Sequence, residues 1–394
     1  TNANSVIGGK YHCNIFKKNN KIKNVSCTEK SKNFNYFFEK NNHKLTLSKK
    51  KINEKNFIIT MSSGSTAKPK PIIFSQKTKI IRYTLFKNLY KIDSKDNIVV
   101  TSPIDHSLGM RTLFLPLLTG GTCIVMRKFI VDEYYELIMK YNVTFSVLVA
   151  NQIYELLKDN YNFKNFYLKK GLVSASAKLF TAAKNKLIKK KINLYEMYGA
   201  AEIGTVASIN LLKDNKNLKS VGKVYNRNIK IKILSEKNIS LNYGIPGEIA
   251  CKTPGIFKKY FNAKKLTDES YFNNYFKTGD IGFLDNKGYL YFLSRKKNLI
   301  RRSGITIYPE DIEKVFIEEG KNIEVAVIGK ESKISTTICL FVLKSKNIDE
   351  KYIRKICLKK LSKFQLPNKI IFLKSFPKTN LGKINKQKLL KFLR

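Results

Sequence analysis

The chain has 394 residues, with 75 Lys plus Arg against 29 Asp plus Glu, a formal charge of +46. Its 43% hydrophobic and 12% aromatic content excludes a wholly disordered chain, and its length corresponds to two or three domains with ample core. The charge excess invites a nucleic-acid or anionic-membrane reading, yet only nine of the basic residues are arginine and the lysines are mixed with asparagines along the whole chain. A lysine- and asparagine-rich compositional bias accounts for that pattern better than a dedicated nucleic-acid surface. The N-terminal Thr1-Asn2-Ala3-Asn4-Ser5 shows no signal-peptide pattern. The longest apolar stretch, Leu113 to Met126, is broken by Pro116, Gly120 and Gly121, so no membrane span is expected. Six scattered cysteines and three isolated histidines have no metal-ligand spacing, which argues against zinc and for reduced, mostly buried thiols. The expectation is a soluble, cytoplasmic protein.

In chain order, Phe57-Ile58-Ile59 reads as a strand leading into Thr60-Met61-Ser62-Ser63-Gly64-Ser65-Thr66-Ala67-Lys68-Pro69-Lys70. From Asn97 to Gly199 short apolar runs alternate with amphipathic stretches. Asn97–Pro103, Thr122–Met126, Thr144–Val149, Gly171–Ser176 and Asn193–Tyr198 read as strands; Asp132–Tyr141, Asn151–Asp159 and Lys178–Lys190 read as helices. Such β-α-β units imply a parallel sheet covered by helices. Val221–Ser294 has the texture of a β-meander, with the turn Asp285-Asn286-Lys287-Gly288 between two strands. A smaller α+β unit follows Arg295. Pro309 opens a helix that Gly320 stops, strands follow at Ile323–Ile328 and Thr336–Leu343, and a helix from Glu350 to Phe364 buries Ile353, Ile356, Cys357, Leu361 and Phe364.

Five segments carry the chemistry. The Ser62–Lys70 run concentrates hydroxyls, a glycine and two lysines, groups that suit phosphates; it lacks the GxxxxGK[ST] pattern, and alone such a run is more often an ordinary loop. Tyr198-Gly199-Ala200-Ala201-Glu202 ends a strand with an exposed aromatic, a glycine and a lone carboxylate. Tyr275-Phe276-Lys277-Thr278-Gly279-Asp280 places a carboxylate after a tight turn, where it can accept from ribose hydroxyls. Ser294-Arg295-Lys296-Lys297-Asn298 through Arg302-Ser303-Gly304 is a basic loop feeding the helix at Pro309. Pro377-Lys378-Thr379-Asn380-Leu381-Gly382-Lys383 is a glycine-bent loop that aims a lysine. Each has a plain alternative as a turn, linker or tail; the five together, in this order, do not.

The set resembles the adenylate-forming superfamily of acyl-CoA synthetases, firefly luciferase and peptide-synthetase adenylation domains, in register from about Phe57 to the C-terminus. The resemblance implies an α/β fold: a large N-terminal domain, 1–295, with helix-covered parallel sheets and a distorted β-barrel portion, and a small α+β lid, 296–394. It implies ATP-dependent, AMP-forming activation of a small carboxylic acid, followed by transfer to a thiol. Ser63, Gly64, Ser65, Thr66 and Lys70 match the loop that holds the β- and γ-phosphates. Tyr198, followed by Gly199, matches the aromatic that stacks on adenine, and Glu202 the Mg²⁺ ligand. Asp280 with Arg295 matches the ribose clamp, and Lys383 the lysine that reaches the carboxylate and the α-phosphate. Lys297 falls at the hinge position, and Ser303-Gly304 on the loop that lines the thiol tunnel. His106, in Asp105-His106-Ser107-Leu108-Gly109, matches a His-xx-Gly segment near the acyl pocket, and Ala175-Ser176-Ala177-Lys178 stands at the family's Gly-Gly-Ala-Pro floor.

The departures from the family pattern are Ala67 and Pro71 in place of glycines, Ala201 in place of a hydroxyl residue, and a short stretch before the phosphate loop, which marks either a missing piece of the N-terminal subdomain or a minimal family member. The leading expectation is an acyl-CoA synthetase using ATP, Mg²⁺ and coenzyme A. The alternatives are a stand-alone adenylation enzyme that loads the phosphopantetheine of an acidic carrier protein, and a catalytically weak adenylate- or nucleic-acid-binding relative.

Overall fold

The computed structural model describes residues 5–8, 24–27 and 54–393, apart from 62–69, 105, 159–165, 320–322, 332–335, 346–347 and 380–382. The chain divides into two compact units, Thr1–Ile52 and Asn53–Arg394. In the first, Ser5–Gly8 pairs in parallel with Asn24–Cys27.

The second unit is built on a seven-stranded sheet. Thr122–Val125, Asn97–Val100, Phe145–Val149, Gly171–Ala175 and Leu194–Ala200 run parallel in that spatial order. Gly204–Asn210 and Lys223–Val224 extend it antiparallel. The central strands Phe145–Val149 and Gly171–Ala175 are buried at every position, as a parallel sheet covered on both faces requires. Phe145, Val147, Val149 and Val173 face a core that includes Phe86, Tyr90, Leu108 and Leu115. Leu148 and Leu172 face the opposite core, made by the helices Val131–Lys140, Ala150–Lys158 and Thr181–Lys189.

An antiparallel sheet of Lys230–Leu234, Gly247–Lys252, Tyr275–Leu284, Leu290–Arg295 and Tyr271–Phe272 carries irregularities at Glu248/Ala250 and Ile281/Gly282, where its strands bend. It shares a core, through Ile249, Cys251 and Phe276, with the three-stranded sheet of Asn56–Met61, Pro71–Ser75 and Lys259–Tyr260. Beyond Arg295 come the hairpin Ile300–Arg302/Ile305–Ile307, the helix Pro309–Glu318, the sheet of Val325–Glu331, Thr336–Leu343 and Lys369–Leu373, and the helix Glu350–Lys360. Ile312, Phe316, Val327, Leu340 and Ile353 form the core of this region. The α/β class, the β-meander and the smaller α+β portion expected from the sequence are all present.

Several elements depart from the sequence expectations. Helices at Gln76–Tyr90 and Ser107–Thr119 were not signalled. The first is capped by Ser75, whose Oγ accepts from the Thr78 amide at 3.1 Å, and buries Arg82, Phe86 and Tyr90 at i, i+4, i+8. The second hides behind Gly109 and Pro116. At Gly109 a Cβ would sit 2.0 Å from the Pro103 carbonyl, so glycine lets the helix lie against its own lead-in. The helix from Glu350 ends at Lys360 rather than Phe364, and Phe364 is 45% exposed instead of buried; the gap before the short turn Lys363–Gln365 rotates it out of the stripe. Gly320 lies outside the described residues, and the helix from Pro309 ends at Glu318. Cys251, Cys339 and Cys357 are buried thiols, and Cys123 is half-buried. No helix among the described residues is long and apolar enough to cross a membrane.

One ion pair lies wholly inside the helix-and-sheet core. Lys184, on Thr181–Lys189, meets Glu196, on Leu194–Ala200, with side chains only 2% and 3% exposed, and also donates to the Leu218 carbonyl. Burial pushes the Glu196 carboxyl upward, and Lys184 opposes that shift. Lys184→Met, which strands the carboxylate, is expected to lower unfolding stability in urea by about 3–5 kcal/mol, whereas Lys184→Met/Glu196→Leu recovers most of the loss. Equal losses in the single and double variants would contradict this.

Candidate active site

A cleft of about 1180 Å³ opens where the parallel strands end. His106–Leu108 follow the strand Asn97–Val100, Ala150–Asn151 follow Phe145–Val149, and Ser176–Lys178 follow Gly171–Ala175; all line the cleft. Ligands of open parallel sheets gather in the crevice beyond the carboxyl ends of the strands. The antiparallel sheet adds Thr278, Asp280 and Arg295, and the C-terminal region adds Glu310, Lys378, Lys383 and Lys386.

At the centre lies Asp280. It is not perched after a turn, as the sequence suggested, but sits within the strand Tyr275–Leu284, in register opposite Arg295 and 2% exposed. The Tyr198 hydroxyl donates to Asp280 Oδ2 at 2.8 Å and to Thr278 Oγ1 at 3.3 Å. Arg295 Nε lies 2.8 Å from Asp280 Oδ1, but without hydrogen-bond alignment, so this buried oxygen has no aligned donor among the described residues. Burial pushes the Asp280 carboxyl up, and Arg295 and the Tyr198 hydroxyl pull it back. Tyr198 is 7% exposed rather than an exposed aromatic. The strand continues two residues past it to Ala200, packing the ring 6.4 Å from Phe292, and burial drives its hydroxyl pKa well up. Gly199 is dictated by the adjoining strand: a Cβ there would lie 2.1 Å from the Gly204 carbonyl.

Lys383 reaches this centre from the far end of the chain. Its Nζ donates to the Ser176 carbonyl, and its amine is lowered to about 8 by burial and by Arg295, with Asp280 opposing. Ser176 holds φ 70°, a left-handed conformation that glycine adopts at no steric cost. The strand therefore turns here as a glycine floor would, with a serine in its place. Ala177 lines the cleft and Ala175 is buried as the last residue of its strand. His106 stands at the N-cap of Ser107–Thr119 with a buried Nε2 that has no hydrogen-bond partner among the described residues.

Glu202 also lines the cleft. The Tyr260 hydroxyl donates to its Oε1 at 2.9 Å. Arg82, which the sequence reading did not single out, holds the backbone beneath it: its guanidinium donates to the carbonyls of Ala201, at 2.7 Å, Glu202 and Gly255. Its planar fork meets the three carbonyls through three separate nitrogens, where a lysine would have only one. Its signal in the sequence was its scarcity as one of nine arginines. No cluster of three His, Cys, Asp or Glu occurs among the described residues. A lone carboxylate such as Glu202 fits Mg²⁺, which takes one or two carboxylates and completes its shell with substrate phosphates and water.

Lys70 lines the cleft with its Nζ 5.2 Å from the Tyr260 ring centroid. Lys297, in the short turn Lys296–Asn298, also lines it; burial, Arg295 and Lys70 bring its amine down to about 8. Ser63, Gly64, Ser65 and Thr66 lie outside the described residues, though Met61 and Lys70 on either side both face the cleft. Pro71 is the first residue of its strand, a position where proline interrupts no ladder. Ser303 and Gly304, at φ 49° and 77°, form the exposed two-residue turn of the hairpin Ile300–Ile307. They are not among the residues lining the cleft in this arrangement.

The chain matches the family model for the AMP-binding enzyme over residues 12–261 and that for the AMP-binding enzyme C-terminal domain over 311–383. It is 25% identical over 335 residues to the indoleacetate–CoA ligase of Aromatoleum aromaticum, covering 84% of this chain and 66% of the relative. It is 29% identical over 337 residues to a 2-succinylbenzoate–CoA ligase of Listeria monocytogenes, covering 84% and 69%. The chain thus spans about two thirds of the length of these relatives. Among solved structures, ATP-bound MatB from Rhodopseudomonas palustris superposes with a TM-score of 0.79 at 24% identity, over 86% of this chain and 68% of that one. The o-succinylbenzoate CoA synthetase of Bacillus subtilis, in complex with its acyl-adenylate, gives 0.79 at 24% identity, over 85% and 69%. At these identities the structures speak for the fold, while the model matches extend over more than half of the chain: it belongs to the AMP-binding enzyme family.

Proposed function

We propose that this chain activates a carboxylic acid with ATP as an acyl-adenylate and passes the acyl group to a thiol, with coenzyme A as acceptor. The observation that carries the reading is the convergence of Tyr198, Asp280, Arg295 and Lys383 on one cleft from three separate parts of the chain. The CoA-ligase relatives support coenzyme A over a carrier-protein phosphopantetheine.

In the first half-reaction a carboxylate oxygen attacks the α-phosphorus of ATP and the bond to pyrophosphate breaks. Negative charge builds on the α-phosphoryl oxygens as the new bond forms. The Lys383 ammonium, held at the Ser176 carbonyl beside the cleft floor, stabilises that charge and orients the carboxylate. Asp280 Oδ1 accepts from a ribose hydroxyl, and Tyr198, braced by Asp280 and Phe292, gives the adenine a fixed face. Arg295 lowers the amines of Lys297 and Lys383, and Lys70 adds to the effect on Lys297, so positive charge is crowded here; a polyphosphate relieves that repulsion. Mg²⁺ on Glu202 would neutralise part of the phosphate charge, with Arg82 and Tyr260 fixing the carboxylate. In the second half-reaction the thiol sulfur bonds to the acyl carbon and AMP departs. A large portion, 1–295, and a lid, 296–394, turning about Lys297 would exchange Lys383 for the Ser303-Gly304 turn between the two steps; terminal loop residues can absorb such a rotation.

Lys383→Ala is expected to slow acyl-adenylate formation by about 100- to 1000-fold, while thioester formation from a supplied acyl-adenylate falls far less. Equal losses in the two assays would contradict the role given to Lys383. Asp280→Ala is expected to raise the ATP dissociation constant by tenfold or more, as loss of a charged acceptor costs about 1.5–3 kcal/mol per bond. Calorimetric titration should also show that this variant has lost the preference for ATP over a 2′,3′-dideoxy analogue; a retained preference would leave Asp280 a purely structural residue.

A further inference from the structure

Away from Asp280, Lys79, Arg82 and Arg111 form a second group of cations, in which Glu202 acts on Arg82 alone. Arg82 is satisfied by its three carbonyls. Arg111 is not. It projects from the helix Ser107–Thr119, one and a half turns beyond His106, and lines the cleft. It also lines an adjoining cavity of about 10 Å³, shared with Arg82, Thr205 and Tyr225; that is room for about one water. Its Nη1 donates to Thr205 Oγ1 at 2.8 Å, and its guanidinium carbon lies 5.4 Å from the Phe86 ring centroid. A guanidinium has five N–H donors; among the described residues only this one hydrogen bond and no carboxylate engage it.

Three other cations each have a carboxylate beside them. Lys386 lies 2.7 Å from Glu313, Arg295 lies 2.8 Å from Asp280, and Lys184 pairs with Glu196. Beside Arg111 there is instead a third cation, Lys79, with its Nζ 4.0 Å from the Phe74 ring centroid and 3.8 Å from Met110 Sδ. Burial, Arg82 and Arg111 pull its amine down to about 7. A chain that uses arginine nine times has set two of them here. Arginine, unlike lysine, offers a planar fork that meets a carboxylate through two parallel hydrogen bonds. The electrostatic neighbours of Arg111 are Lys79, Arg82, Tyr90 and Tyr225, whereas those of Lys297 are Arg295 and Lys70. Thr205, which holds Arg111, lies opposite Gly199 in the strand register, and Gly199 lines the cleft.

We propose that the acid activated by this chain carries a second anionic group, a carboxylate distal to the one that is adenylated, received by the Arg111 guanidinium with Thr205 fixing its fork. This rests on the acyl-adenylate reading above and names its substrate class. Desolvating Arg111 without a counter-charge is costly, and the distal carboxylate supplies that charge on binding. An acid that ends in a methyl or a ring edge leaves the guanidinium unpaired in the closed site.

The test uses matched acids, hexanoate against adipate and phenylacetate against its ring-carboxylated counterpart, with the full chain. Pyrophosphate release gives kcat/KM for each acid, and titration of each acid into enzyme saturated with α,β-methylene-ATP reads the site without chemistry. The wild-type chain is expected to favour the dicarboxylates by about tenfold or more, and Arg111→Met to lower that ratio by a similar factor. A wild-type preference for the monocarboxylates, or a ratio unchanged in folded Arg111→Met, overturns the proposal. Should circular dichroism show that Arg111→Met does not fold, the wild-type ratio alone decides. Dicarboxylate binding that Arg111→Met abolishes, without pyrophosphate release from any acid, would uphold the anion site and overturn the acyl-adenylate reading.

Discussion

The hydrogen bond from the Tyr198 hydroxyl to Asp280, at 2.8 Å, joins the two sheets on which the cleft is built. Tyr198 closes the last parallel strand of the seven-stranded sheet, and Asp280 belongs to the antiparallel sheet beyond it. Arg295, in register opposite Asp280, completes the contact at the point where the chain leaves for its C-terminal region. A carboxylate 2% exposed must be paired or pay heavily in desolvation. Holding Asp280 with one hydroxyl and one guanidinium leaves Oδ1 without an aligned donor, and an incomplete shell of this kind is what a binding site needs.

Charge is distributed around this hub by function rather than by the bulk composition. The chain's lysine excess is spread everywhere, yet around the cleft two sets of interacting cations stand out. Lys70, Arg295, Lys297 and Lys383 interact with one another near Asp280. Lys79, Arg82 and Arg111 interact with one another behind Gly204 and Thr205. Between them, Glu202 is fixed from two sides, by the Tyr260 hydroxyl and by Arg82 at the backbone. Two separated cationic regions suit a nucleotide and an acid that are both anionic, meeting where Lys383 lies against the Ser176 carbonyl.

Much of this was legible before any coordinates. The parallel strands and most of their helices follow from apolar runs alternating with amphipathic stretches, because a strand buried on both faces has no room for polar residues. Lys383, Asp280, Arg295, Glu202 and Tyr198 stood out because each belongs to a short motif and the motifs follow in a fixed order. Other features were hidden for physical reasons. The helix Gln76–Tyr90 buries an arginine on its inner face, so its apolar stripe is interrupted where the site begins. The helix Ser107–Thr119 contains a glycine and a proline, which ordinarily end helices, and only the close approach to the Pro103 carbonyl explains the glycine. The left-handed Ser176 gives no signal at all, since serine rarely adopts that conformation without its surroundings forcing it. The burial of Tyr198 depends on Gly204–Asn210, a strand that pairs back across it and carries no clear alternation.

The central claim is that a carboxylate oxygen of the acid attacks the α-phosphorus of ATP in this cleft. Supplying the acid with both carboxylate oxygens labelled as ¹⁸O, and measuring the mass of the AMP released after thioester formation, tests that claim directly. AMP is expected to gain one labelled oxygen and pyrophosphate none. Unlabelled AMP, or release of ADP with label in inorganic phosphate, would contradict it.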